Sequence, residues 1–153
     1  MIKSVIVISN MDNLILLFKE KKIRVTPQRL EVYRAIFGKN KHLTAEQIYE
    51  KIKHKLPAIS LATIYTILDS FKEKDLVSEM RIEFDKSRFE SRVSFHHHFM
   101  CKKCGAIFDI DKPPCPEIAC KKIDGHSIEK LQGYFYGVCK NCLGSYGEYV
   151  YIR

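Results

Sequence analysis

Two Cys-x-x-Cys pairs, Cys101-x-x-Cys104 and Cys139-x-x-Cys142, constrain this chain more than any other feature. A Cys-x-x-Cys turn brings two thiolates to one tetrahedral ion at about 2.3 Å, and two such turns close a four-sulfur shell. The fold therefore has to carry residues 101–104 and 139–142 to one place. The turns read CKKCG and CKNC, and their lysines favour thiolates and offset the charge of the site. Soft thiolates select Zn2+ over hard cations, and a closed shell leaves no open position, so the expected role is structural. Six cysteines without a secretory signal argue for a reducing, cytoplasmic compartment, where such pairs bind metal more often than they form disulfides. A thioredoxin-like motif would be a single pair in a βαβ context, and a zinc deaminase needs a His-x-Glu that no histidine here provides. His-Glu-x-x-His is also absent. Cys115 and Cys120 lack the tight spacing and read as ordinary thiols.

The length of 153 residues fits one ordinary domain or two small ones, and 46% hydrophobic content suffices for packed cores. No apolar run approaches the ~20 residues of a membrane-spanning helix. The opening MIKSVIVISN has no small-residue cleavage site and reads as an added arm or an early start, outside the functional argument. Charge is unevenly placed. Residues 1–60 hold twelve Lys/Arg against five Asp/Glu, whereas residues 61–153 hold fourteen against thirteen. A basic amino-terminal portion points to a polyanion, nucleic acid before membrane; the alternative is a solvated basic surface.

Helical spacing of Leu14, Leu17 and Phe18 predicts a first helix over about 12–22. VTPQRLEVYRAIFG gives a second, with Thr26 as N-cap, Pro27 in the first position and Gly38 as stop. A third begins at the capping-box pair Thr44 and Gln47 and is expected to run to Pro57, with Ile48, Ile52 and Leu56 facing the core. Ser60 caps a fourth over 61–75, which buries Leu61, Ile64, Leu68 and Phe71 and leaves Thr63, Tyr65 and Thr66 on another side. Two short helices joined by a tight turn have the form of a helix-turn-helix. LVSEMRIEF and RFESRVSF around DKS carry a β-hairpin signature. Helices followed by a hairpin suggest a winged helix, against the plainer reading of an arbitrary small helical domain. The texture then changes. AIFDI reads as a strand, PPCPEIACKKI as a turn and helix, HSIEKLQGYFYGVC as strand-like and EYVYIR as a closing strand. The expected fold class is α+β, with domains at 1–88 and 89–153.

In RVSFHHHFMC, extended alternation puts His96 and His98 on one face and His97 on the other. Because the four-sulfur shell is complete, the two imidazoles serve a second ion or form a surface pair.

RVTPQR, SLATIYTIL, HHHFMCKKCG and GHSIEKLQGYFYGVCKNC, in this order, resemble the ferric uptake regulator family from about Leu14 to Cys142. The resemblance implies a homodimeric, metal-dependent transcriptional repressor of palindromic operator DNA. Its parts would be an amino-terminal winged helix and a small α/β dimerisation domain with structural Zn2+ on Cys101, Cys104, Cys139 and Cys142. Carried over by motif, a regulatory Fe2+ or Mn2+ would take His42, Glu90, His96, His98 and Asp109. Asp109 favours the family's peroxide-sensing branch, in which a histidine ligand is oxidised; His42 and His96 are the implied targets. Glu90 stands where that branch commonly has Asp, and an iron-responsive regulator is the alternative. A further metal site of some members would draw on His126 and residues near His97 and Glu117, although Phe95 replaces a histidine there. On the DNA side, Tyr65 resembles a base-contacting residue, Thr63 and Arg29 phosphate holders, and Lys22 or Arg24 a minor-groove contact. Thr66 departs from the family's usual Arg or Asn. From other classes, a metalloenzyme finds no nucleophile or acid–base motif, and a zinc-ribbon RNA-binding module would use the same basic end.

Overall fold

The structure, a computed structural model, describes residues 11–38, 41–94, 96–111, 122–123, 126–127 and 133–143. The chain divides into two compact units, Met1–Val93 and Ser94–Arg153. The change of sequence pattern had pointed to residue 88. Residues Arg88–Glu90 stay with the first unit because they pair with Ser78–Met80.

Four helices and a hairpin build the first unit: α1 (Met11–Glu20), α2 (Pro27–Ile36), α3 (Ala45–Ile52), α4 (Leu61–Glu73), β1 (Ser78–Met80) and β2 (Arg88–Glu90). Side-chain oxygens satisfy the amide groups that each helix start leaves over. Thr26 accepts from Arg29 N at 3.3 Å and Ser60 from Thr63 N at 3.1 Å. Thr44 accepts from Gln47 N at 3.3 Å while the Gln47 side chain accepts from Thr44 N at 3.0 Å, a complete capping box. At the other end of α1, Ile23 N donates to Phe18 O and Lys22 N to Lys19 O, with Lys22 left-handed at φ 55°. That is a Schellman cap in which a lysine occupies the place glycine usually takes. Gly38, at φ 119° after α2, is the stop its position suggested. The third helix ends at Ile52 and does not reach Pro57, because Lys55 N and Leu56 N both turn back onto Ile52 O.

Apolar faces of the four helices meet in one core. Phe71 of α4 is fully buried, with ring centroids 5.5 Å from Phe18 of α1 and 6.0 Å from Tyr33 of α2. Ile36, Ile48, Ile64 and Leu68 complete its centre. Leu61, expected in the core, is only partly buried at its edge. The hairpin is antiparallel, with Ser78 opposite Glu90, but far shorter than the expected strands: three residues pair on each side and 81–87 form the connection. An additional bridge, Phe89 N to Leu43 O at 2.8 Å and Leu43 N to Phe89 O at 3.2 Å, fastens this wing to the entry of α3.

The second unit holds a three-stranded sheet in the order β4–β3–β7. Its strands are β3 (His97–Cys101), β4 (Ile107–Ile110) and β7 (Tyr134–Gly137). The central β3 runs antiparallel to β4 and parallel to β7. A small pair, β5 (Lys122–Ile123) with β6 (His126–Ser127), and the one-turn α5 (Lys140–Leu143) accompany it. The helix expected in PPCPEIACKKI lies almost wholly outside the described residues; the closing strand EYVYIR and residues 1–10 lie entirely outside them. Among the described residues, no helix is long and apolar enough to cross a membrane.

Replacing Phe71 by Ala removes the ring on which three helices converge. Urea denaturation of the full chain, followed by far-ultraviolet circular dichroism, should show a loss of about 3–5 kcal/mol in the helical transition. A loss below about 1 kcal/mol would contradict this core.

Candidate functional site

The parallel pairing of β3 with β7 sets Cys101 opposite Gly137, just before Cys139. That register delivers the second Cys-x-x-Cys to the first. One sulfur from each of Cys101, Cys104, Cys139 and Cys142 lies within 4.8 Å of every other. Backbone geometry builds both turns: Gly105 N donates to Cys101 O at 2.8 Å with Gly105 at φ 70°, and Cys142 N donates to Cys139 O at 2.8 Å. Cys139 N also donates to Cys101 Sγ at 3.3 Å. This amide, with those of Cys104 and Lys103, brings the Cys101 thiol down to about 6. Cys142 moves the other way, to about 12, because the sulfurs of Cys139 and Cys104 crowd it. Four thiols this close cannot all ionise against one another, and a divalent cation among them removes the conflict. The donor set, four soft sulfurs and no oxygen, fits a tetrahedral thiophilic ion.

Imidazoles and carboxylates gather separately in each unit. In the second unit, His98 of β3 faces Asp109 of β4 across the antiparallel ladder. His96 stands beside them, its ring centroid 4.4 Å from that of His98 and its Nε2 3.7 Å from Asp109 Oδ1. His96 Nδ1 is 2.7 Å from Ser94 O. A carbonyl only accepts, so Nδ1 carries the proton and the Nε2 lone pair is presented on the side of Asp109. All three side chains are buried. In the first unit the Leu43–Phe89 bridge sets its flanking residues His42 and Glu90 together, with His42 Nε2 3.4 Å from Glu90 Oε2 and both buried. Arg88, which no sequence motif singles out, anchors this pair by donating from Nη1 to His42 O at 3.0 Å.

His97 points away from His96 and His98, as alternation requires. Its ring stands 5.9 Å from Phe135, and a Cβ at Gly133 would come within 2.6 Å of His97 Nδ1. Only glycine leaves room for that imidazole. His126 lies exposed on β6. Cys115, Cys120 and Glu117 fall outside the described residues.

On the helical unit, Tyr65 and Thr66 stand exposed in the first half of α4, with Thr63 half-buried. Thr63 Oγ1 pairs with the capping Ser60 Oγ at 2.8 Å, and the Thr66 hydroxyl turns back onto Ala62 O at 3.0 Å. Arg29 Nη1 donates to Arg24 O at 3.1 Å, so Arg29, Arg24 and the left-handed Lys22 belong to one basic segment around the α1–α2 link. Tyr65 Oη donates to Glu46 Oε1 of α3 at 2.8 Å. That bond, followed by partial burial, raises the phenol above its ordinary value. Glu46 was not legible as a partner of Tyr65: it reads only as an acidic residue in the first turn of a helix, and nothing local signals a contact 19 residues on.

The family model described as the ferric uptake regulator family matches residues 20–134 of this chain. The peroxide-responsive repressor PerR of Staphylococcus epidermidis is 35% identical over 122 residues, covering 78% of this chain and 81% of that protein. PerR of Staphylococcus aureus is 34% identical over 126 residues, covering 81% and 85%. Among solved structures, the ferric uptake regulator of Vibrio cholerae superposes with a TM-score of 0.64 at 28% identity, over 81% of this chain and 98% of that one. The peroxide stress regulator of Campylobacter jejuni gives 0.62 at 30% identity, over 84% and 98%.

The sulfur cluster can be read optically. Co2+ titrated into the reduced chain should develop the charge-transfer and visible bands of a tetrahedral thiolate complex, saturating at about one ion per chain. Replacing Cys101, Cys104, Cys139 and Cys142 together by Ser should abolish them; bands that persist in that variant would assign the metal elsewhere.

Proposed function

Because the chain belongs to the ferric uptake regulator family, we propose that it is a metal-gated, DNA-binding repressor of the peroxide-responsive kind, acting in the cytoplasm as a homodimer. The observation that carries this reading is the buried set His96, His98 and Asp109, two imidazoles and a carboxylate on one sheet face. The buried His42–Glu90 pair of the other unit supplies the complement. Together these are three nitrogens and two carboxylates, a donor set suited to Fe2+ or Mn2+ and unlike the thiolate cluster. In our reading the sulfurs hold a structural Zn2+ that secures β3 and β7, and the mixed set holds the regulatory ion. Both halves of the mixed set are built by backbone pairing, so binding selects the orientation in which they meet. A dimer so oriented can set two reading helices in successive major grooves, about 34 Å apart on a palindromic duplex. Lys22, Arg24, Arg29 and Thr63 take backbone and minor-groove contacts, and Tyr65 reads a base edge.

A bound Fe2+ would supply the reductive cleavage of hydrogen peroxide, a chemistry that Zn2+ lacks. The ring of His42 or His96 would take up one peroxide oxygen, giving up two electrons overall while the other oxygen leaves as water. Ser94 O fixes the tautomer of His96, and burial keeps both rings away from bulk scavengers. An oxidised imidazole no longer presents the same lone pair, the two halves lose their common ligand, and the operator is released. A carboxylate at position 109 is shorter as Asp than as Glu, and the homologous repressors of the two staphylococci are named peroxide-responsive.

Two measurements test this. Purified chain with Mn2+ should prefer a palindromic duplex to random DNA, with a preference that disappears on chelation and an affinity that falls as salt rises. Fe2+-loaded chain briefly exposed to peroxide should gain one oxygen on the peptide holding His42 or His96, and the Mn2+ form should not. Equal masses for the two forms would replace peroxide sensing by iron sensing, and absence of any duplex preference would remove the repressor reading altogether.

A further inference from the structure

The hydrogen bond from Tyr65 to Glu46 raises a question that the repressor reading leaves open. A carboxylate beside a base-reading residue repels phosphates and weakens every DNA complex by charge alone. Its position is nevertheless firmly built. Glu46 occupies the first turn of α3, directly after the Thr44 cap. Its carboxyl is held below its ordinary value by its own backbone amide, then by Thr44 and Tyr65, so it is ionised at neutral pH. The first-turn location favours a negative charge through the helix dipole as well. Glu46 and Tyr65 share the wall of a cavity of about 470 Å3 with Thr44, Gln47, Lys86 and Arg88, where the end of the wing's connection meets the two helices. The far wall is fixed too: Arg88 Nε donates to Glu83 at 2.6 Å and Arg88 Nη1 to His42 O at 3.0 Å.

A phenol has one O–H to donate. Here Glu46 takes it, over 2.8 Å, while Tyr65 as a residue remains 42% exposed. What the side chain then offers a base edge is chiefly an apolar ring, held in one orientation. Among base edges in the major groove, the apolar feature is the C5-methyl group of thymine. We propose that Glu46 is a specificity-determining positioning residue: by engaging the Tyr65 hydroxyl it presets the orientation of the ring as a thymine-methyl reader. The proposal rests on the reading of Tyr65 as a base contact. It gives the carboxylate a purpose that offsets its electrostatic cost, since repulsion acts on all DNA alike whereas the preset ring acts only where a thymine stands.

The test replaces single thymines by deoxyuracil, which deletes the methyl group and keeps the base pair. The duplex is a palindromic site selected from a random library by the Mn2+-loaded wild-type chain. At the thymine that Tyr65 reads, wild type should lose about tenfold in affinity on this replacement. Glu46→Ala should bind random duplex several-fold more tightly, because a negative charge is gone, and should lose most of the thymine–deoxyuracil difference. Tyr65→Phe should lose it similarly, and the double variant should lose no more than either single one, the non-additivity expected of one interacting pair. Glu46→Gln, still able to accept the hydrogen bond, should bind random duplex as tightly as Glu46→Ala while keeping most of the discrimination. Glu46→Ala with wild-type discrimination would falsify the positioning role while leaving Tyr65 a reader. Unchanged binding by Tyr65→Ala at every thymine would instead remove the base-reading role beneath it.

Discussion

The pairing register of β3 is the constraint on which the chemistry of the second unit depends. This strand of five residues has different neighbours on its two edges, an antiparallel one that carries Asp109 and a parallel one that leads to Cys139. A shift of one residue would exchange the faces of His97 and His98 and move Cys101 off Gly137. Both metal-binding sets would be lost together. The register is held by more than ladder hydrogen bonds. His97 can sit on its face only because position 133 has no Cβ, and Phe99 lies against the similarly bare Gly137, where an added Cβ would come 3.1 Å from its ring. Two glycines in or beside one edge strand therefore act as a key for the side chains of the central strand.

The first unit solves a different problem, which is to hold polar groups still outside its apolar core. Its aromatic centre of Phe18, Tyr33 and Phe71 joins three helices. The side chains that matter outside that core are tied by specific hydrogen bonds: His42 through the Leu43–Phe89 bridge and Arg88, and Tyr65 through Glu46. The wing is short, with three residues on each strand. Phe89 pairs with Glu79 on one edge and with Leu43 on the other, and Arg88 reaches back to Glu83 across the connecting residues 81–87. The Leu43–Phe89 bridge holds His42 and Glu90 beside each other.

What could be read from the sequence is what short-range physics decides. Helix starts at Thr26, Thr44 and Ser60 follow from side-chain oxygens within three residues of their partners. The core stripe follows from helical period, and the sulfur cluster from the reach of a Cys-x-x-Cys turn. The separation of His96 and His98 from His97 follows from strand alternation. Contacts across long stretches of chain were not legible. The bridge from Leu43 to Phe89, the reach of Arg88 to His42 and the contact of Tyr65 with Glu46 leave no periodic or compositional mark. The early end of α3 belongs to the same class, because a proline bounds a helix without saying how soon the chain turns back on Ile52 O. The strand lengths of the wing were overestimated for a related reason. β-branched and aromatic residues in 76–84 and 88–95 report a preference for extended backbone, and which of them pair is settled by the partner.

The block HHHFMCKKCG places two kinds of donor three residues apart on one strand, and the physical chemistry of those donors keeps them apart. Thiolates that hold a closed tetrahedral ion leave it no position for peroxide and no reason to move. Imidazole and carboxylate donors bind harder cations more loosely, in geometries that can open. A chain that needs both a permanent brace and a reversible signal cannot obtain them from one mixed site, because the sulfurs would dominate the binding and would themselves be oxidised first. Strand geometry supplies the separation: His98 and Cys101 differ by an odd number of positions and so project to opposite faces of β3. The mixed donor set of our reading is thereby separated from the four thiolates by the pleat itself.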